Sequence, residues 1–169
     1  ATGHNKYWNN PEGWRRTILY LKESGYRVIC IDRDRVAGHG TIWHHLPHGV
    51  EDMTGTFPLS ERAQWLRHAE FFIGLSSGLS WLAWASECPV IMISGFTEPY
   101  SEFGTPYRML DRHVCNGCSN DVTVEFERNN YMWCPQHANT DRDYECTKII
   151  AYEQVKLIVG QVIADRRSQ

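Results

Sequence analysis

Amphipathic helix patterns alternate with short apolar runs through the first hundred residues, and this alternation limits the fold more than any other feature. Asn10-Pro11-Glu12 predicts a helix start, and further helices are predicted from residues 60 and 79. The apolar runs are residues 28–31, 71–75 and 90–94. Helices that alternate with buried strands are typical of a parallel sheet with right-handed crossovers. We therefore predict an α/β, Rossmann-like domain with a parallel sheet and flanking helices.

The pattern changes after Pro106. Residues 111–147 are polar and carry four cysteines, and a last amphipathic helix then presents Val155, Ile158, Val159 and Val162 on one face. We predict a Rossmann-like domain of residues 1–110 and 148–169, with residues 111–147 as an inserted four-cysteine metal finger. The first residues form a loop where such a domain normally has a strand, so we expect the protein to continue upstream.

Composition and charge argue against two classes of partner, nucleic acids and membranes. The chain has 169 residues and a net charge of −3, and no basic stripe is visible, so we expect no nucleic acid partner. The most apolar segment, residues 71–85, is interrupted by serines and is shorter than the roughly 20 residues that span a bilayer. Since no targeting segment is visible either, we expect a soluble, cytoplasmic protein without membrane insertion.

The six cysteines fall into two groups. Cys30 and Cys88 lie in or beside apolar runs and are interpreted as buried small hydrophobes. The others are clustered in the polar tract: Cys115, Cys118, Cys134 and Cys146. Two disulfides would need an oxidising compartment, so we predict one structural metal ion held by four thiolates, which suits zinc or a single iron. His113 and His137 are alternative ligands.

A candidate phosphate site lies where the second apolar run meets its helix, at Ser76, Ser77, Gly78 and Leu79. Ligands of open α/β sheets bind beyond the carboxyl ends of the strands, where helix N–H groups face the ligand. Such a turn also serves as plain helix capping. Thr2 and Lys6, ahead of the first helix, could bind a diphosphate, although Lys6 is equally compatible with a solvated position.

These strings resemble a known family. Residues 2–8 and residues 69–83 resemble two blocks of ADP-heptose transferases, except that the lipopolysaccharide enzymes usually place Asp at position 76 and His at position 81. The departures match the autotransporter heptosyltransferases, as do residues 6–11, 28–32, 46–52, 74–85 and 92–97 and the cysteine set.

The resemblance implies a glycosyltransferase-B architecture in which this chain is the C-terminal, donor-binding half. It implies ADP-heptose as donor, Ser or Thr hydroxyls of an autotransporter adhesin passenger as acceptor, and an acceptor base in the N-terminal half. It favours iron over zinc, and we expect a homo-oligomer. The alternatives are an inactive metal-finger assembly module on the same fold and a transferase that uses another nucleotide sugar.

A group of histidines and a group of tryptophans are further candidates for a functional role. His39, His44, His45 and His48 could form a metal cluster, but loop histidines at this density are usually solvent-facing or packed. Trp43, Trp81 and Trp84 could stack on an adenine or a sugar, although core packing is the commoner role, particularly for Trp84.

Overall fold

Helices and strands alternate along the chain, as predicted. The computed structural model describes residues 3–125 and 132–168. Within these ranges the helices are α1 (Gly13–Glu23), α2 (Leu59–Arg67), α3 (Gly78–Ala85), α4 (Glu145–Lys148) and α5 (Tyr152–Arg167). The strands are β1 (Ile29–Cys30), β2 (Val36–His39), β3 (Ile42–His45), β4 (Glu51–Asp52), β5 (Phe72–Leu75), β6 (Val90–Ile93) and β7 (Arg108–Met109). Short 3-10 turns occur at His4–Lys6 and Pro99–Ser101.

Five of the seven described strands pair in parallel, but they do not form one continuous sheet. Strands β5, β6 and β7 form a three-stranded parallel sheet, and β1 pairs in parallel with β4. Strands β2 and β3 form a separate antiparallel hairpin in the loop-rich region. The sequence analysis did not predict β4 and β7, because each has only two residues, at least one of them charged, and neither lies in an apolar run.

The first and last residues of α1 lie close to those that the sequence predicts. The Asn10 side chain accepts a hydrogen bond from the Glu12 N–H at 3.1 Å and closes a turn ahead of the helix, so α1 begins at Gly13 rather than at Pro11. Gly25 follows α1 with φ 87°, the left-handed conformation that ends helices, as predicted. Among the described residues no helix is long and apolar enough to cross a membrane.

Strand β6 lies at the centre of the core, with helices on both of its faces. Ile91 and Ile93 pack with the buried face of α5, whereas Val90 and Met92 pack with α2 and α3. This alternation follows from the two-residue period of a strand. All four residues are buried, as expected for a parallel strand covered on both sides.

The segment before α1 packs against the rest of the domain through Trp8. Trp8 is fully buried, and its Nε1 donates a hydrogen bond to the Ile150 carbonyl at 2.9 Å. Gly13 lies against the Trp8 ring, where a Cβ atom would come within 2.5 Å of a ring carbon. The residues that precede α1 are therefore held beside the start of α5.

Candidate functional site

The turn between β5 and α3 has an exposed helix N-terminus. Ser77 precedes α3 in an extended conformation, and within the described residues no side chain caps the first turn. Gly78 is exposed and would have open space around a Cβ atom. Free N–H groups at an accessible helix start can bind an anion. The geometry is therefore compatible with the predicted phosphate site.

Lys6 lies on the neighbouring segment and reaches the same region. Its Nζ is 6.0 Å from the centroid of the Phe96 ring, in the loop after β6. Burial lowers the pKa of Lys6, and the nearby Glu102 carboxylate partly opposes that shift. Thr2, the other residue predicted on this segment, lies outside the described residues.

Glu102 joins the predicted residues, and the sequence analysis missed it. Its carboxylate accepts a hydrogen bond from the Ser76 hydroxyl and another from Arg108 on β7. The Glu102 side chain is 3% exposed and that of Arg108 is 12% exposed. Because the Ser76 proton is directed to Glu102, Ser76 positions the turn, and it could donate to a phosphate only by breaking this bond. No motif or spacing in the sequence marks Glu102 or Arg108.

The four cysteines of the polar tract are neighbours in space. Burial, followed by the charges of the three other thiolates, raises the pKa of Cys146 to about 12. Burial, followed by a hydrogen bond to Glu145 and the charges of its neighbours, raises the pKa of Cys115 to about 12. Thiolates that repel one another in a buried site are the donor set that a bound cation stabilises. The chemistry of this donor set fits iron or zinc.

The closest group of ligand atoms differs from the predicted set. Atoms of Cys115, His137 and Glu145 all lie within 4.8 Å of one another. His137 is thus near the cluster, whereas the exposed His113 side chain contacts Asp111. A four-thiolate site therefore remains a prediction.

The cysteine tract packs directly on the loop that Lys6 reaches. The Gly117 N–H donates to the Gly95 carbonyl at 2.8 Å, and the Ser119 N–H donates to the Phe96 carbonyl at 3.1 Å. A Cβ atom at Gly95 would come within 2.9 Å of the Cys146 carbonyl oxygen. Residues 95–96 thus contact the cysteine tract, and Phe96 is also near Lys6.

The histidine-rich region folds into the hairpin rather than into a metal cluster within the described residues. His44 on β3 forms a hydrogen bond with His4 at 2.7 Å and stacks on Tyr7 with a centroid separation of 3.7 Å. Burial, reinforced by the charges of His44 and Lys148, lowers the pKa of His4 to about 4. The hairpin therefore packs on the segment that carries Lys6.

The structure contradicts the core-packing interpretation of Trp43, Trp81 and Trp84. Trp84 is 50% exposed and stacks on Phe103, and Trp81 is 44% exposed beside it, so neither indole is in the core. Trp43 is 53% exposed.

Cys88 is buried as predicted, whereas Cys30 is only partly buried. Burial raises the pKa of both thiols.

Sequence comparison relates the chain to known transferases. The sequence profile of glycosyltransferase family 9 (heptosyltransferase) matches residues 1–133. The autotransporter heptosyltransferase BAHTCr of Citrobacter rodentium is 52% identical over all 169 residues, which cover 41% of its length. The inactive autotransporter heptosyltransferase BimC of Burkholderia thailandensis is 41% identical over 157 residues, with coverage of 92% of this chain and 36% of that protein.

Structure comparison agrees with the sequence. The crystal structure of TibC, an iron-containing dodecameric glycosyltransferase of enterotoxigenic E. coli H10407, superposes with a TM-score of 0.96 and 51% identity. The match covers the whole of this chain and 46% of TibC. TibC in complex with ADP-D-beta-D-heptose superposes with a TM-score of 0.94 and 52% identity over 98% of this chain and 43% of that chain. The chain thus spans less than half the length of these relatives.

Proposed function

The chain belongs to glycosyltransferase family 9, the heptosyltransferase family, and from this membership we propose that it is the donor-binding, C-terminal half of a glycosyltransferase-B enzyme. The enzyme transfers heptose from ADP-heptose to Ser or Thr hydroxyls of an autotransporter adhesin. The acceptor base lies in the other half of the enzyme. The ADP-heptose complex of TibC, at 52% identity, supports this donor.

The observation that carries the proposal is that Lys6 and the turn before α3 are both next to one carboxylate, that of Glu102. Lys6 and Ser76 both approach Glu102, so a cation and a set of helix N–H groups lie in one region. The Lys6 ammonium neutralises the donor diphosphate, while N–H groups at Ser77, Gly78 and Leu79 donate to its oxygens. The same groups stabilise the charge that develops on ADP as the sugar departs.

Calorimetric titration with ADP-heptose tests this proposal. The protein is prepared at the length of its relatives, and Lys6→Ala is expected to weaken binding by at least about tenfold, because a partly buried charge partner is lost. Lys156→Ala is the matched control, since Lys156 is an exposed lysine of α5 that packs on Tyr20. Unchanged affinity in Lys6→Ala would contradict the assignment of the diphosphate to this site.

A second candidate is an assembly module that keeps the fold without catalysis. The observation that favours this second candidate is the relative BimC, which is named as an inactive heptosyltransferase. Such a module gives no binding heat with ADP-heptose or ADP. A transferase that uses another nucleotide sugar is separated from both by a donor panel, in which a different sugar would bind more tightly than ADP-heptose.

The cysteine tract has a structural role in the proposal. Residues 111–147 form a metal finger inserted between residues 1–110 and 148–169. Cys115, Cys118, Cys134 and Cys146 hold one structural metal ion, with iron favoured because TibC is described as iron-containing. Zinc is the alternative, because both ions accept four thiolates. Four protein ligands leave no open position, so the ion supplies stability rather than chemistry.

The remaining partners follow from the same relatives. The dodecameric state of TibC supports a homo-oligomer here. The names of the relatives support an autotransporter adhesin as acceptor. We place the enzyme in the cytoplasm.

A further inference from the structure

The turn that carries Lys6 is bracketed by the side chain of Asn9. The His4–Lys6 turn closes with a hydrogen bond from the Tyr7 N–H to the His4 carbonyl at 3.1 Å. The Asn9 Nδ2 donates to the same His4 carbonyl at 2.9 Å and to the Tyr7 carbonyl at 3.0 Å. Asn9 therefore fixes the backbone on both sides of Lys6.

The Asn9 amide is held in turn by Thr147 of α4. Its Nδ2 donates to the Thr147 Oγ1 at 3.0 Å, across 138 residues of chain. Thr147 is fully buried, and its hydroxyl donates to the Tyr144 carbonyl at 3.4 Å, which leaves its lone pairs to accept from Asn9. Thr147 therefore sets the position of the side chain that brackets the Lys6 turn.

A second contact joins the Lys6 turn to the start of α4. The His4 ring packs edge-on against the Tyr144 ring, with a centroid separation of 4.3 Å and an interplanar angle of 82°. Tyr144 directly precedes α4 and has a left-handed backbone with φ 56°, which costs energy for any residue other than glycine. The turn is thus held at two points by α4 and the residue before it.

Helix α4 belongs to the cysteine tract. Cys146, one of the four predicted metal ligands, immediately precedes Thr147 in α4, and both are buried. The Glu145 carboxylate accepts from the Cys115 N–H at 3.4 Å and from the Arg142 Nε at 2.9 Å, which ties the start of α4 to the rest of the tract. One helical turn therefore carries both a predicted metal ligand and the residue that holds Asn9.

The position of the Lys6 ammonium depends on this backbone. A lysine side chain is a point charge on a flexible four-carbon stem, so the region it reaches is set by where its backbone is held. At Lys6 the side chain extends toward the Phe96 ring, 6.0 Å from its centroid. A displacement of about 1 Å at a functional group can cost about a hundredfold in rate, so a loosened turn should weaken the function of Lys6.

We propose that Asn9 and Thr147 are positioning residues for Lys6, and that α4 acts through them on the affinity for the donor diphosphate. Thr147 is fully buried and therefore cannot contact the donor itself. Because Lys6 is taken as the diphosphate-binding cation, the assignment rests on the proposed function. It gives the cysteine tract a second role, in donor binding, beside its structural one.

Calorimetric titration with ADP tests the assignment, in the same preparation as the Lys6→Ala comparison. Asn9→Ala and Thr147→Val are each expected to weaken ADP binding by about fivefold or more, since each removes an interior hydrogen bond that holds the turn. Asn10→Ala is the matched control. The Asn10 side chain also reaches α4, at the Lys148 carbonyl, but it contacts neither carbonyl of the Lys6 turn, so ADP affinity should stay unchanged.

Two further comparisons separate positioning from a general effect on stability. Thr147→Ser keeps the hydroxyl and should bind ADP like the wild type, although it loses a buried methyl group and therefore some stability. In a Lys6→Ala background, Asn9→Ala should cause no further loss of ADP affinity, because the ammonium that it positions is absent. An independent effect on the fold would instead add to the loss from Lys6→Ala.

The outcomes distinguish this assignment from the diphosphate site itself. Full ADP affinity in Asn9→Ala and Thr147→Val, with weaker binding in Lys6→Ala, would overturn the positioning role and leave the site intact. Unchanged affinity in all three variants would overturn both. An additive loss in the Asn9→Ala and Lys6→Ala double variant would also overturn the positioning role. Asn9 is only partly buried, so Asn9→Ala decides the matter if Thr147→Val does not fold.

Discussion

The Ser76 hydroxyl donates a hydrogen bond to the Glu102 carboxylate, which joins the turn before α3 to the segment after the Pro99–Ser101 turn. Arg108 donates to the second oxygen of Glu102, and the charge of Glu102 acts on Lys6. A single buried carboxylate thus connects three parts of the candidate donor site. We infer that this carboxylate holds the turn before α3, β7 and the Lys6 segment in their relative positions.

Glu102→Gln should therefore destabilise the fold. Arg108, whose side chain is 12% exposed, would lose its counter-ion, and removal of one partner of a buried pair costs about 3 kcal/mol or more. Glu153→Gln is the control, because its pair with Arg16 is exposed and should contribute less than about 1 kcal/mol. The free energy of unfolding in urea gives both values. Equal losses would show that Glu102 is not the anchor described here.

Stability should fall as the pH drops from about 6.5 to about 4. His4 in the folded protein takes up its proton only near pH 4, whereas the unfolded chain takes it up near the ordinary pKa of 6.5. In that window the unfolded state binds more protons, so acid favours unfolding. The lowered pKa of His44 acts in the same direction.

Urea unfolding at several pH values measures this dependence. His4→Gln should flatten the slope between pH 4 and 6.5, and His39→Gln is the control because the His39 side chain is exposed on β2, away from the cysteine tract. Metal occupancy is checked at each pH, since thiolate ligands are also lost in acid. An identical slope in wild type and His4→Gln would rule out His4 as the source.

Gly95→Ala should separate the cysteine tract from the loop after β6. The new Cβ atom would lie 2.9 Å from the backbone oxygen of Cys146, so the backbone must move, at a cost of about 1–3 kcal/mol. Gly104→Ala is matched to it, because a Cβ atom there meets nothing within 4 Å. Unfolding measurements combined with metal analysis check both variants. A Gly95→Ala protein as stable as Gly104→Ala would mean that the two segments do not pack tightly.

Cys118→Ser should lose the metal ion and loosen residues 111–147. Structural metal sites contribute on the order of 10 kcal/mol to folding, and this tract has few apolar residues to replace that contribution. Cys88→Ser is the control, since Cys88 is 5% exposed, like Cys118, but lies outside the cluster. Elemental analysis and limited proteolysis report the two effects. Full metal occupancy and protease resistance in Cys118→Ser would contradict the proposed ligand set.

The sequence was sufficient for the parts of the fold that depend on local pattern. The apolar run at residues 90–94 predicted a buried strand, and Gly25 predicted the end of α1, because both signals lie within a few neighbouring residues. The β5–α3 turn was predicted from the same local signals. The two-residue strands β4 and β7 were not, because their pairing depends on distant partners.

By itself, then, the sequence determined the α/β class, the alternation of elements, the cysteine set and the family. Only the tertiary structure revealed Glu102 as the link between Ser76, Arg108 and Lys6. The physical reason is the separation along the chain between the residues that interact. Helix caps and apolar periods act between neighbouring residues, whereas a buried ion pair or the interior of a sheet forms between segments that only folding brings together.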